Sequence, residues 1–260
     1  MSLAQRRGVL IGVVHLPALP GAPGYRGSMQ PVVDACARDA ETLAQAGFDA
    51  VLVENFGDAP FFATDVPDET IAAMAVATDA ARRASGKPIG VNVLRNDGIA
   101  AMSVAVAAGA QFVRINVLVG ARVCDQGVVQ GDGARIARLR AALHANDIDV
   151  IADVGVKHSA PLAAWSLEDE AREAIGRGGA SAVIVTGAHT GAPANLDAAV
   201  ALKHATGSTV WVGSGVRAET LRAWLDGVDG VIVGSALRAD GRAGGAIDFE
   251  AARRFVAARG

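Results

Sequence analysis

The feature that most limits what this chain can become is an alternation repeated eight times, in which a short apolar run is followed by a longer stretch rich in Ala, Arg and Leu. The runs occupy residues 8–15, 49–54, 88–94, 111–116, 149–153, 181–186, 209–213 and 229–234. Within each run the apolar residues are continuous rather than alternating, which is the pattern of strands covered on both faces. Seven stretches of helical length separate the runs, and an eighth at residues 249–258 closes the chain. Strand then helix, eight times over, predicts an α/β fold: a single (β/α)8 TIM barrel over residues 1–260. The length of 260 residues is close to the roughly 250 typical of that fold.

Local signals mark the boundaries. Gly47, Gly86, Gly109, Gly179, Gly207 and Gly227 stand just before six of the runs, where a residue tolerant of the left-handed conformation ends a helix. Asn146 is the expected substitute before the fifth. Helix starts are expected at Asp65 with Pro67, at Asn96-Asp97, and at the capping-box-like Ser166-Leu167-Glu168-Asp169. The even-numbered runs echo one another as Gly47-Phe48-Asp49-Ala50-Val51, Gly109-Ala110-Gln111-Phe112-Val113, Gly179-Ala180-Ser181-Ala182-Val183 and Gly227-Val228-Asp229-Gly230-Val231. A shared need for a helix cap and a β-branched strand explains the echo, and descent from a duplicated unit is the alternative. The connections that follow runs include long ones at residues 16–29, 118–132 and 236–248, whereas those that precede runs are short. Long loops of a barrel gather at the carboxyl ends of its strands, so a ligand site is expected there.

Composition narrows the classes of function. A formal net charge of −3 and a pI near 5.9 leave no basic excess for a phosphate backbone, so nucleic acid is not an expected partner. The 24 Lys and Arg residues are dispersed, and the uncharged Ala- and Gly-rich segment at residues 99–113 is shorter than a membrane span, so no direct membrane insertion is expected. The apolar residues 9–14 after Arg6-Arg7 are too short for a signal core and fit a first strand. Two cysteines, Cys36 and Cys124, suit a reducing cytoplasm better than a disulfide framework. No cofactor is expected.

Polar residues sit where the runs end. His15 ends the first, Glu54-Asn55 the second, Asn92 lies in the third with Arg95-Asn96-Asp97 after it, Arg114 and Asn116 lie in the fourth, Asp153 ends the fifth and Thr186 the sixth. Inward-facing groups at that level converge on one pocket. Glu54 is the candidate general acid or base, with an ion pair to Arg114 as the competing role. Asp153 and Asp97 are candidate second carboxylates, or with Glu54 a set of hard oxygen metal ligands, although no tight ligand spacing supports a metal. Lys157 is an anion clamp, a Schiff-base amine or a solvated loop lysine. His15, Asn92, Arg95, Arg114, Asn116, Asp125 and Thr186 are the expected substrate contacts. Asp125-Gln126-Gly127 is expected to reach over the mouth as a lid hinged at Gly127. Gly213-Ser214-Gly215 and Gly234-Ser235 follow the seventh and eighth runs, where backbone N–H groups of barrels often hold a phosphate, and Gly187 joins them after the sixth. The competing reading is that these glycines only ease tight turns. His189 carries no specific signal. Trp165 and Trp224 are expected at the surface, where they would contribute to a homo-oligomer.

Several segments together resemble one family. They are Val14-His15-Leu16-Pro17 with Leu19-Pro20-Gly21, Val53-Glu54-Asn55-Phe56-Gly57-Asp58-Ala59-Pro60-Phe61, Gly90-Val91-Asn92-Val93-Leu94-Arg95-Asn96-Asp97, Asp125-Gln126-Gly127, Ala152-Asp153-Val154 with Val156-Lys157-His158, Thr186-Gly187 with Thr190-Gly191, and Gly213-Ser214-Gly215-Val216. The resemblance, over nearly the whole chain, is to the BtpA family, named for a photosystem I biogenesis factor. It implies a phosphate-binding barrel of the ribulose-phosphate-binding kind. Asp229-Gly230-Val231-Ile232-Val233-Gly234-Ser235-Ala236 also resembles the corresponding run of tryptophan synthase alpha subunits, and Glu54, Pro60-Phe61 and Asp65 resemble an arrangement in the same subunits. Two functions are expected to compete. One is an enzyme of lyase or isomerase type acting on a small phosphorylated metabolite; the other is a non-catalytic biogenesis or regulatory factor for a membrane complex such as photosystem I.

Overall fold

The structure is a computed structural model that describes residues 2–187 and 194–260. Among these residues the chain order gives strands β1 (Val9–His15), β2 (Ala50–Glu54), β3 (Ile89–Asn92), β4 (Phe112–Ile115), β5 (Ala121–Cys124), β6 (Gly127–Gln130), β7 (Asp149–Val154), β8 (Ser159–Pro161), β9 (Ala182–Thr186), β10 (Val210–Gly213) and β11 (Gly230–Val233). The helices are α1 (Gln30–Ala46), α2 (Asp68–Ser85), α3 (Gly98–Ala108), α4 (Gly133–Ala142), α5 (Leu167–Gly176), α6 (Leu196–Thr206), α7 (Ala218–Gly227) and α8 (Phe249–Ala257). Eight parallel strands close into a barrel in the order β1-β11-β10-β9-β7-β4-β3-β2. All eight apolar runs form its staves. No helix among the described residues is long and apolar enough to cross a membrane.

Period-two alternation divides each stave between two cores. Val9, Ile11, Val13, Ala50, Leu52, Phe112, Ile151, Ala182, Ile184, Trp211 and Ile232 fill the inside, with Leu3 and Ala4 plugging the bottom. The intervening residues, such as Leu10, Val51, Val91 and Val113, pack outward against the helices. The interior is too narrow for a large side chain on every strand. Phe112 and Trp211 meet edge to face at 6.4 Å, and each has a glycine beside it. A Cβ on Gly90 would stand 2.1 Å from the Phe112 ring, and one on Gly230 would stand 2.9 Å from the Trp211 ring.

The echo among even runs acquires a physical reason. In three of the four echoed runs the polar residue before a stave takes a backbone N–H at the start of the neighbouring stave: Leu10 N donates to Asp49 (2.8 Å), Ile89 N to Gln111 (2.8 Å) and Val210 N to Asp229 (3.1 Å). These contacts satisfy backbone donors at the barrel's lower rim, where the ladder has not yet begun.

Three boundaries and one exposure differ from expectation. Helix α4 ends at Ala142 and the left-handed residue after it is His144 (φ 53°), not Asn146. Gly227 is the last residue of α7 and has no left-handed role; it is glycine because a Cβ would meet Val200 at 2.6 Å. Pro67 rather than Asp65 precedes α2. Trp224 is buried against the core rather than exposed, whereas Trp165 is exposed. Asp97 and Ser166 do cap α3 and α5, accepting from the N–H groups of Ala100 and Asp169.

A three-stranded antiparallel sheet, in the order β6-β5-β8, was not legible in the sequence. Its strands are three or four residues long, and β8 joins β5 across 34 intervening residues, between Cys124 and Ser159 at their closest pairing. The hairpin turn at Asp125-Gln126 carries the segment expected to reach over the mouth, with Gly127 (φ 92°) pairing with Cys124 just after the turn, and Arg122 anchors the hairpin through a buried ion pair to both Glu170 oxygens at 3.1 Å.

If the aromatic pair requires the glycine beside it, Gly90→Ala should lower unfolding free energy by about 1–3 kcal/mol through overpacking. The expected observation is a lower urea midpoint with an unchanged m-value; a midpoint equal to that of the wild type would show that the core relaxes at no cost.

Candidate active site

Strand register brings the polar ends together. His15 is paired with Glu54, and Glu54 with Asn92, across β1, β2 and β3. Alternation turns all three inward, as it does Arg114, Asn116, Asp153 and Gly213 on later staves. Above them opens a cavity of about 620 Å³, lined at its base by Val13 and Ile232 and at its walls by Phe56, Phe61 and Leu94.

Arg114 is the centre of the charge network. Its Nε and Nη2 donate to the two oxygens of Asp153, both at 2.9 Å, and its Nη1 donates to Glu54 Oε1 at 3.0 Å. Burial opposes its charge, but the carboxylates of Asp153 and Glu54 outweigh that and hold the guanidinium protonated more firmly than usual. Asp153 also accepts from Asn116 Nδ2 at 2.9 Å, which turns Asn116 Oδ1 toward Asn92 Nδ2 at 3.0 Å. Because a carboxylate only accepts, this chain fixes both amide orientations. Asn92 Oδ1 is then left buried without a donor among the described residues.

His15 stands opposite. Its ring lies 4.4 Å from that of Phe56, and Nδ1 accepts the Gly244 N–H at 3.0 Å. Burial foremost, then the charges of Arg238, Lys157 and Arg114, hold its pKa well below the ordinary imidazole value. The ring is therefore neutral, with its proton on Nε2, which lies 3.9 Å from Glu54 Oε2. That separation is too long for a hydrogen bond and leaves both groups available to a ligand.

The loops after β10 and β11 complete this side. Gly213, Ser214, Gly234 and Ser235 line the cavity. Among the described residues, the backbone N–H groups of Ser214, Gly215, Ser235 and Ala236 donate to no protein acceptor. Ser214 (φ 96°) and Gly215 (φ 72°) are both left-handed, which shapes this turn. At Gly234 a Cβ would stand 3.1 Å from the His15 ring, so a bare backbone is what lets the loop and the imidazole share the space. Arg238, buried beneath, donates to the Gly234 carbonyl at 2.5 Å and the Val13 carbonyl at 3.0 Å.

Across the cavity, Arg95 Nη2 donates to the Lys157 carbonyl at 2.6 Å, and Thr186 Oγ1 accepts the Lys157 N–H at 3.1 Å. Burial, followed by the positive charge of Arg114, lowers the Lys157 pKa; Glu54 and Asp153 pull the other way, and Arg95 adds to the lowering. Asp125 and Gln126, at the hairpin tip, reach the cavity edge.

Of the expected site residues, His15, Glu54, Asn92, Arg95, Arg114, Asn116, Asp125, Lys157, Gly213, Ser214, Gly234 and Ser235 line this one cavity. The others are placed elsewhere. Asp97 is corrected to a helix cap, its two oxygens engaged by the N–H groups of Ala100 and Val66. Asp153 lies behind Arg114 with both oxygens occupied, so it orients the guanidinium instead of facing a ligand. Thr186, Gly187 and Gly215 do not line the cavity. His189 and Thr190-Gly191 lie outside the described residues. No group of three or more His, Cys, Asp or Glu among the described residues is arranged to hold a metal ion. Cys36 and Cys124 are free thiols, and burial pushes that of Cys36 up to about 12. Sequence reasoning named Phe56 and Phe61 only within the resemblance and gave them no site role, and it did not single out Arg238; the signal for Arg238 was a lone arginine three residues past the Gly-Ser turn.

Comparison with known proteins fits this geometry. The BtpA family model matches residues 6–259. The chain belongs to the BtpA family. An uncharacterised protein of Pyrococcus horikoshii is 42% identical over 247 residues, covering 95% of this chain and 94% of its own. The photosystem I biogenesis protein BtpA of Synechocystis is 37% identical over 255 residues, 98% of this chain and 88% of its own. Among solved structures, phosphoribosyl anthranilate isomerase from Thermus thermophilus superposes with a TM-score of 0.59 at 14% identity, covering 96% of this chain and 97% of the other, a likeness of fold. In this BtpA-family chain, most of the segments that carried the resemblance border the cavity.

Two outcomes follow from the charges. Asp153→Ala strands Arg114 with one carboxylate and should cost about 3–5 kcal/mol in chemical denaturation, as for other broken buried pairs; a loss within error of zero would remove Asp153 from this role. The folded state keeps His15 neutral, while an unfolded imidazole titrates near about 6.5. The unfolded chain therefore binds the extra proton, and stability is fully present above that pH and declines as pH falls below it. His15→Asn should flatten part of the decline, measured as urea midpoints across that range.

Proposed function

We propose that this chain is an enzyme that binds a small phosphorylated metabolite and moves a proton on it with Glu54, chemistry of the lyase or isomerase type. One observation carries the reading: Glu54 Oε2 and the Nε2–H of His15 face a cavity whose neighbouring wall offers N–H groups, from the loops after β10 and β11, that are unengaged among the described residues. Arg114 holds Oε1 of Glu54, so the carboxylate is fixed in place while its second oxygen accepts no hydrogen bond among the described residues. Small residues at Gly213, Ser214, Gly234 and Ser235 let backbone donors approach a phosphate closely. In this arrangement Glu54 takes a proton from carbon or oxygen of the substrate, and the neutral imidazole of His15 donates to the oxygen where charge develops.

The Synechocystis relative's name favours a second reading, a biogenesis factor acting through protein contacts. The relative from the archaeon Pyrococcus horikoshii weighs against tying the fold to a photosystem, and burying this many charged groups without a chemical task is costly.

A thermal-shift screen of inorganic phosphate and sugar phosphates tests the phosphate site, because a ligand at a hundred times its Kd stabilises the native state by about 2.7 kcal/mol. Proton transfer is tested by NMR in D2O: a bound ketose phosphate should exchange the hydrogen next to its carbonyl, and Glu54→Gln should slow that exchange about a hundredfold or more while preserving the thermal shift. Exchange that is unchanged in the variant would exclude Glu54, and silence across the whole screen would exclude the phosphate site.

A further inference from the structure

Two cations in the cavity have no carboxylate of their own among the described residues. Arg114 is matched by Asp153 and Glu54, and Arg122 by Glu170. Arg95 is 7% exposed, yet among the described residues its side chain donates only to the Lys157 carbonyl, and Lys157 makes no ion pair. Both line the cavity. Two neighbouring positive groups held mostly out of water without a counterion are costly unless an anion completes the site.

Their position tells where that anion sits. In the closed order β1-β11-β10-β9-β7-β4-β3-β2, β3 stands four places from β10, and β4 four places from β11. Arg95 follows β3 and Lys157 follows β7, so their contact arches over β4. It therefore faces the glycine loops after β10 and β11 across the mouth. His15 and Glu54, on β1 and β2, lie on the arc between these two poles. The buried Asn92 Oδ1, without a donor, is on β3 beside them.

We propose that Arg95 and Lys157 form a second anion subsite that takes a carboxylate, so that the substrate is a phosphorylated hydroxy acid with its carboxylate and phosphate at opposite ends. A hydroxyl on the intervening carbons donates to Asn92 Oδ1, and Glu54 acts on the carbons between the poles. A carboxylate suits the pair better than a second phosphate: one Arg95 nitrogen is already engaged by the Lys157 carbonyl, so the guanidinium and the ammonium offer two charge-assisted contacts, which the two oxygens of a carboxylate match. The inference rests on the phosphate reading of the opposite loops.

Isothermal titration with two probes separates the two ideas. 6-Phosphogluconate and glucitol 6-phosphate share a carbon chain and a phosphate and differ in the carboxylate at the far end. The wild-type protein should bind 6-phosphogluconate about tenfold more tightly or better, the scale of a charge-assisted contact. Lys157→Met should bring the two affinities within about twofold of each other, through weaker binding of 6-phosphogluconate, and Lys157→Gln should behave alike. Equal binding of both probes by the wild type, or a preference that survives both substitutions, would overturn the carboxylate subsite and leave the phosphate site standing. Binding of neither probe would overturn both.

Discussion

In a closed parallel barrel every second residue of a strand must point inward, and the inside is only wide enough for side chains to fill. Everything else in this molecule follows from that constraint. Below the mouth the inward positions hold Ile11, Leu52, Phe112, Ile151, Ile184 and Trp211, with glycines at Gly90 and Gly230 where a second large group would not fit. At the last inward position of each stave the same alternation presents His15, Glu54, Asn92, Asp153 and Gly213, which are far apart in sequence and adjacent at the rim.

Polar groups at that depth must satisfy one another or wait for a ligand. Asp153 is of the first kind, with both oxygens occupied by Arg114 and Asn116. Glu54 is divided, one oxygen pinned by Arg114 and the other facing the cavity. The neutral imidazole of His15, the Oδ1 of Asn92 and the cations of Arg95 and Lys157 are of the second kind. This gradient from satisfied to unsatisfied groups is the feature on which the proposed binding of a charged small molecule rests.

The antiparallel sheet of β5, β6 and β8 shows how a barrel acquires a wall for its site without altering its staves. Arg122 and Glu170 tie the hairpin to α5, so the tip carrying Asp125 and Gln126 is set at the cavity edge by a buried ion pair. The loop after β11 does the same on the other side, where Gly244 fixes the tautomer of His15.

The sequence by itself determined the barrel, because continuous apolar runs at a regular spacing admit few other ways to cover both faces of a strand. It also showed which residues end the runs, and so most of the cavity lining, including Glu54, Lys157 and the Gly-Ser turns. Tertiary structure decided which of them face a ligand. Asp97 and Asp153 read alike as carboxylates at strand ends, yet one caps α3 and the other is consumed by Arg114, since hydrogen-bond partners come from segments dozens of residues away. The pairing of β5 with β8, the burial of Trp224 and the place of Arg238 under Gly234 are likewise set by non-local contacts, which leave no periodicity in the chain to read.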